Sequence, residues 1–90
     1  MTPRTLTLTD DRRVELLALR DRDPRPYVRE RAAALLKVAD GATPHRVARR
    51  GLLRPRDPDT VYAWLDRYEG EGVAGVVGHP PGGSRGRRLR

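Results

Sequence analysis

Cysteine and phenylalanine are absent from this chain, and lysine occurs once, at position 37. Without cysteine there can be neither a disulfide nor a thiolate metal site. The two histidines, His45 and His79, lie far apart and make no ligand spacing, so no metal and no cofactor is expected. Aromatic residues make up 4% of the chain and read mostly as core, which disfavours stacking on single-stranded or structured RNA. The longest apolar run, Ala32 to Leu36, has five residues. A bilayer span needs roughly 20, so no membrane partner is expected. The N-terminus lacks the apolar stretch of a secretory signal, which leads to the expectation of a cytoplasmic, nucleoid-associated protein. A chain of 90 residues buries only about 60% of the surface that its unfolded form exposes. That leaves no room for a deep catalytic pocket beside a second binding domain. The paired carboxylates Asp10/Asp11 and Asp57/Asp59 sit at expected helix starts, where capping explains them better than acid–base chemistry. The reading is therefore of a protein that is not an enzyme and has no catalytic residues.

What the chain has in excess is arginine. Eighteen of its nineteen basic residues are Arg, set against twelve acids, and the formal charge is +7. The charge is blocked. Residues 1–42 carry a net +2, and residues 44–56 carry Arg46, Arg49, Arg50, Arg54 and Arg56 with no acid. Residues 57–78 carry a net −4, and residues 79–90 a net +4 from Arg85, Arg87, Arg88 and Arg90. Such clusters point to a polyanionic partner. Arg12, Arg13, Arg22, Arg25, Arg29 and Arg31 are interleaved with acids, and local salt bridges account for them.

Periodicity predicts helices. Thr9 is a candidate N-cap, and Asp10 to about Arg20 places Val14, Leu17 and Ala18 on one face, with Leu16 and Leu19 beside them. The Asp23-Pro24-Arg25-Pro26 stretch breaks that helix. A second helix, from Pro26 to Asp40, repeats Val28, Ala32, Leu35 and Ala39 and stops at Gly41. Thr43-Pro44 opens a short third helix to about Arg50, with Val47 and Ala48 inward. Asp57-Pro58 or Asp59-Thr60 caps a fourth, in which Val61, Trp64, Leu65 and Tyr68 form an amphipathic stripe. Residues 73–77 read as a strand or as chain packing over that helix. The expected layout is a flexible lead-in at 1–9, a DNA-binding domain at 10–77, and an unfolded basic Gly/Pro/Arg tail at 78–90.

Two short helices joined by a turn, the second with an inward Val, Trp and Leu, make a helix-turn-helix candidate. A second helix of this kind enters a major groove about 12 Å wide with its N-terminal residues toward base edges and phosphates. Arg46, Arg49 and Arg50 would anchor phosphates. Arg54, Arg56, Thr60, Ala63 and Arg67 would face the major groove, and Tyr62 would donate its hydroxyl to a phosphate. Arg85, Arg87, Arg88 and Arg90 would follow the minor groove or the backbone.

The runs Arg31-Ala32-Ala33-Ala34-Leu35-Leu36, Asp40-Gly41-Ala42-Thr43 and Val47-Ala48-Arg49-Arg50-Gly51, followed by Thr60-Val61-Tyr62-Ala63-Trp64-Leu65-Asp66-Arg67-Tyr68 and Glu71-Gly72-Val73-Ala74-Gly75-Val76, resemble the N-terminal homeodomain-like module of IS630/Tc1-type transposases. The resemblance covers about residues 27–90. It implies a trihelical domain that binds the terminal inverted repeats of a transposon, joined by a basic linker to a second DNA-binding unit. Eight residues separate Gly51 from Thr60, a longer interval than the family pattern has, and Ala63 and Asp66 stand where the family commonly has basic side chains. The family's catalytic domain has no counterpart in these residues.

The expectation is thus an all-α, homeodomain-like helix-turn-helix bundle of about four helices that binds double-stranded DNA, with transposon inverted repeats as the target. A small transcriptional regulator and a protein–protein adaptor are the competing readings. Leu16 and Leu19 on the first helix offer the one surface for a homodimer.

Overall fold

The computed structural model describes residues 4–52 and 55–78. Five helices follow one another: α1 (Asp10–Arg22), α2 (Pro26–Ala39), α3 (Pro44–Arg50), α4 (Pro58–Glu71) and α5 (Val73–Val77). No strand occurs among the described residues. Each start has a local cause. The Thr9 hydroxyl accepts the Arg12 N–H at the head of α1, and Asp10 and Asp11 complement the helix dipole there. Pro26, Pro44 and Pro58 occupy the first turns of α2, α3 and α4, where a missing N–H costs nothing. Gly72 separates α4 from α5 with φ 68° and ψ −145°, backbone that a side chain strongly disfavours.

α2 is the centre of the fold. Val28, Ala32, Ala34, Leu35, Leu36 and Val38 are buried, so most of its circumference is covered, by α1, α3, α4 and α5. Its outer side carries Arg29, Glu30, Ala33 and Lys37, and its ends leave Pro26, Tyr27 and Ala39 wholly or partly exposed. The α4 stripe of Val61, Trp64, Leu65 and Tyr68 packs inward as its period predicts. Full burial of a Leu or Val is worth about 1.5–3 kcal/mol. The continuous cluster from Leu6 to Val76 is therefore the main stabilising element.

Three expectations need correction. The buried face of α1 is not centred on Val14, Leu17 and Ala18: Val14 is 65% exposed and Ala18 exposed, while Leu16 is fully buried and Leu17 and Leu19 are half-buried against the core. Arginine stems complete that face, with Arg12 over the Tyr68 ring at 5.4 Å and Arg13 bonded to Asp40. Leu16 and Leu19 are consequently not a surface left over for a homodimer. Residues 73–77 do pack over α4, but as a helix rather than a strand, since no strand among the described residues is present to pair with them. The lead-in, expected to be flexible, contributes Leu6 to the core at 7% exposure, with Leu8 packed beside it.

Arg31 also departs from the reading of a solvated cation. It is 5% exposed, its Nη1 donates to the Val76 carbonyl at 2.9 Å, and its guanidinium stacks on Tyr27 and Trp64 at 4.9 and 5.8 Å. Burial lowers its pKa, and the charges of Arg67 and Arg56 lower it further. Arg31 thus joins α2 to the last turn of α5.

Candidate nucleic-acid interface

The two helices of the candidate motif are α3 and α4, and they pack directly on each other. Thr43 caps α3 through its hydroxyl, which accepts the Arg46 N–H at 3.1 Å. Pro44, Val47 and Ala48 turn inward and are buried. At about 100° per residue that leaves Arg46, Arg49 and Arg50 together on the outer side, at the i, i+3 and i+4 spacing of one helical face. All three are exposed, and none forms an ion pair among the described residues. His45 stands exposed next to them. Three adjacent guanidinium groups without a carboxylate repel one another, and an external anion relieves that repulsion.

α4 begins with Asp57, whose carboxylate accepts the Asp59 N–H at 2.8 Å. Thr60 is therefore not the cap; its own N–H donates to the Asp57 carbonyl at 2.9 Å, and its side chain is half-buried. Tyr62 and Ala63 are half-buried as well. Arg67 is half-buried on the flank that α5 covers, and its charge bears on Arg31. It does not stand with the residues at the α4 N-terminus. The outer side of α4 carries Asp59, Asp66 and Glu69, all exposed. Arg4 from the lead-in reaches Asp66 at 3.0 Å and also Glu69. Burial works against the Arg4 charge, but these two carboxylates outweigh it and raise its pKa.

Arg56 is held differently from what its place in the basic block implies. Its Nε and Nη2 donate to the two oxygens of Glu30 on α2 at 2.8 and 2.7 Å, and its N–H donates to the Ala48 carbonyl at 2.7 Å. The hydrogen bonds to Glu30 raise its pKa. Arg56 fastens the long turn to the body of the domain, and this attachment fixes where α4 starts. Sequence pattern gave no hint of it, since Glu30 and Arg56 are far apart in the chain. Arg54, Arg85, Arg87, Arg88 and Arg90 lie outside the described residues.

The structure thus brings Arg46, Arg49 and Arg50 together on α3, the helix that packs on α4, and commits Arg56 to a contact with Glu30. No helix among the described residues is long and apolar enough to cross a membrane. A search of curated proteins and of solved structures found no match. The family model described as winged helix-turn-helix matches residues 31–90, two thirds of the chain. A wing has no counterpart among the described residues, which are helical where they are regular. The chain belongs to the winged helix-turn-helix family and carries a helix-turn-helix module of the DNA-binding kind.

Proposed function

We propose that this protein binds double-stranded DNA sequence-specifically, and that its target is the inverted repeat at a transposon end, as the resemblance to IS630/Tc1-type transposase modules implies. The observation that carries the DNA-binding part is the row of Arg46, Arg49 and Arg50, exposed and without carboxylate partners among the described residues, on the helix that precedes α4. Phosphate contacts of this kind set register and orientation. Sequence is read by the first turn of α4 and the residues before it. Arg54 is suited to guanine O6 and N7, and Asp59, exposed in that first turn, to the cytosine amino group. Asp66 and Glu69 repel phosphates, so α4 approaches the groove by its N-terminal end rather than along its length. The proposed role is recognition rather than cleavage.

Binding-site selection from random duplexes tests this reading. Selection should enrich one motif. Asp59→Ala should relax preference at one position, by about 1–3 kcal/mol of discrimination, without abolishing binding. Recovery of unrelated sequences by the wild-type chain would contradict specific recognition. Enrichment of a motif absent from inverted repeats flanking the gene would leave DNA binding intact and remove the transposon assignment.

A further inference from the structure

On the opposite side of Arg50 from the α3 row lies a depression of about 910 Å³ between the end of α1, the outer side of α2 and the end of α3. Arg20, Arg29, Lys37, Arg50 and Arg56 line it, with Glu30 as the acid among its lining residues. Glu30 is already neutralised by its paired contact with Arg56. Arg29 donates to the Asp23 carbonyl at 2.7 Å and forms no ion pair among the described residues, although its charge also bears on the Asp23 carboxylate. Arg20 is paired with Asp21, its immediate neighbour, through hydrogen bonds that raise the arginine pKa. An exposed pair of that kind is weak and exchanges readily for a phosphate. Lys37 makes no ion pair among the described residues. Its stem lies across the end of α3, where a side chain on Gly51 would come within 3.3 Å of its Cδ.

Pro26, Tyr27, Ala33 and Leu52 also line the depression, and the cations around these apolar residues favour an anionic occupant. The segments of this chain outside the described residues, 1–3, 53–54 and 79–90, contain no acid, so none of them is complementary to it. Arg50 lines this depression and also the shelf formed by Thr43, His45, Arg46 and Arg49. The basic side chains of the two therefore meet at Arg50, from the start of α3, over its last turn, to α2 and the end of α1. Guanidinium and ammonium groups set on several elements match a polymer of phosphates, which Arg holds through paired hydrogen bonds and Lys as a point charge.

We propose that the depression is a second backbone-binding surface for the same duplex that α3 engages, with Arg20 and Lys37 gripping phosphates beyond those held by Arg46, Arg49 and Arg50. The inference rests on the DNA-binding reading above and extends its footprint to α2. Such contacts position the duplex and carry no sequence preference.

The test is a fluorescence-anisotropy titration of the full chain with a labelled duplex over a series of salt concentrations. Two paired variants are compared, Arg20→Gln with Lys37→Gln, and Arg46→Gln with Arg49→Gln. Each lost phosphate contact makes the plot of log K against log salt shallower by about 0.9, so the Arg20/Lys37 pair should change the slope by roughly 2. The loss should be the same for every duplex sequence, and Lys37→Arg should retain binding. Should the pair fail to fold, Lys37→Gln alone carries the test, with a slope change of about 0.9. Unchanged affinity and slope in the Arg20/Lys37 variant, beside a loss in the Arg46/Arg49 variant, would overturn the inference and leave the DNA-binding reading standing. No change in either pair would bring down both. Retained DNA binding by the Arg20/Lys37 variant together with loss of an acidic protein partner would also overturn it.

Discussion

Asp23 illustrates how a single carboxylate closes the corner between α1 and α2. It accepts both the side chain and the backbone N–H of Arg25, and these bonds lower its pKa from 3.8 to about 2. Its folded-state pKa is depressed, so the folded chain holds the proton less tightly than the unfolded chain. The stability that Asp23 contributes is therefore present above about pH 4 and lost as the pH falls toward about 2. The melting temperature should decline across that window, and Asp23→Asn should flatten part of the decline while leaving the melting temperature near pH 7 lower than wild type. An equally steep acid decline in Asp23→Asn would contradict this role. Arg31 marks the limit of residue-level reading. Its phase on α2, three after Val28 and four before Leu35, places it on the buried side, whereas its charge argues for solvent. The phase prevailed because α5 supplies a carbonyl and Tyr27 and Trp64 supply ring faces, and no local pattern in the sequence announces those partners.

Among the elements, α3 and α4 were legible because cap, period and stop agree in each, and α2 because its N-terminal proline, period and Gly41 stop agree without a side-chain cap. Thr43, Pro44 and Gly51 bound α3; Asp57, Pro58 and Gly72 bound α4. α1 was legible in extent but not in facing. Its leucines permit two overlapping stripes, and tertiary contact with α2 and Tyr68 selects Leu16 and the Arg12 stem. For α5 the apolar run of five residues is too short for period to separate helix from strand. Its close approach to α4 depends on Gly75, where an added Cβ would collide with the Arg67 carbonyl. Gly75→Ala must push α5 outward, and a cost of about 1–3 kcal/mol is expected by chemical denaturation. Because Arg31 bonds to Val76, the change should also loosen α2 from α5, seen as faster amide exchange around Val76. Wild-type stability in Gly75→Ala would show that α5 is not packed as described.

At the scale of the whole molecule the charge is divided between faces. The outer side of α3 and the exposed side of α2 are basic, while the outer side of α4 is acidic and partly covered by Arg4. The excess of arginine could be read directly from the sequence, and with it a polyanionic partner. The division could not, because it depends on which arginines the fold engages internally: Arg56 with Glu30, Arg13 with Asp40, Arg31 with Val76. The account stands on the three arginines of α3 that remain outside such contacts. The most direct measurement is the salt dependence of duplex binding by the wild-type chain and by the variant Arg46→Gln, Arg49→Gln, Arg50→Gln. With about six to eight phosphates neutralised, the wild-type slope should lie near −5 to −7, and the triple variant should lose roughly 2 to 3 of it. A wild-type slope near zero, or a triple variant indistinguishable from wild type, would contradict the central claim.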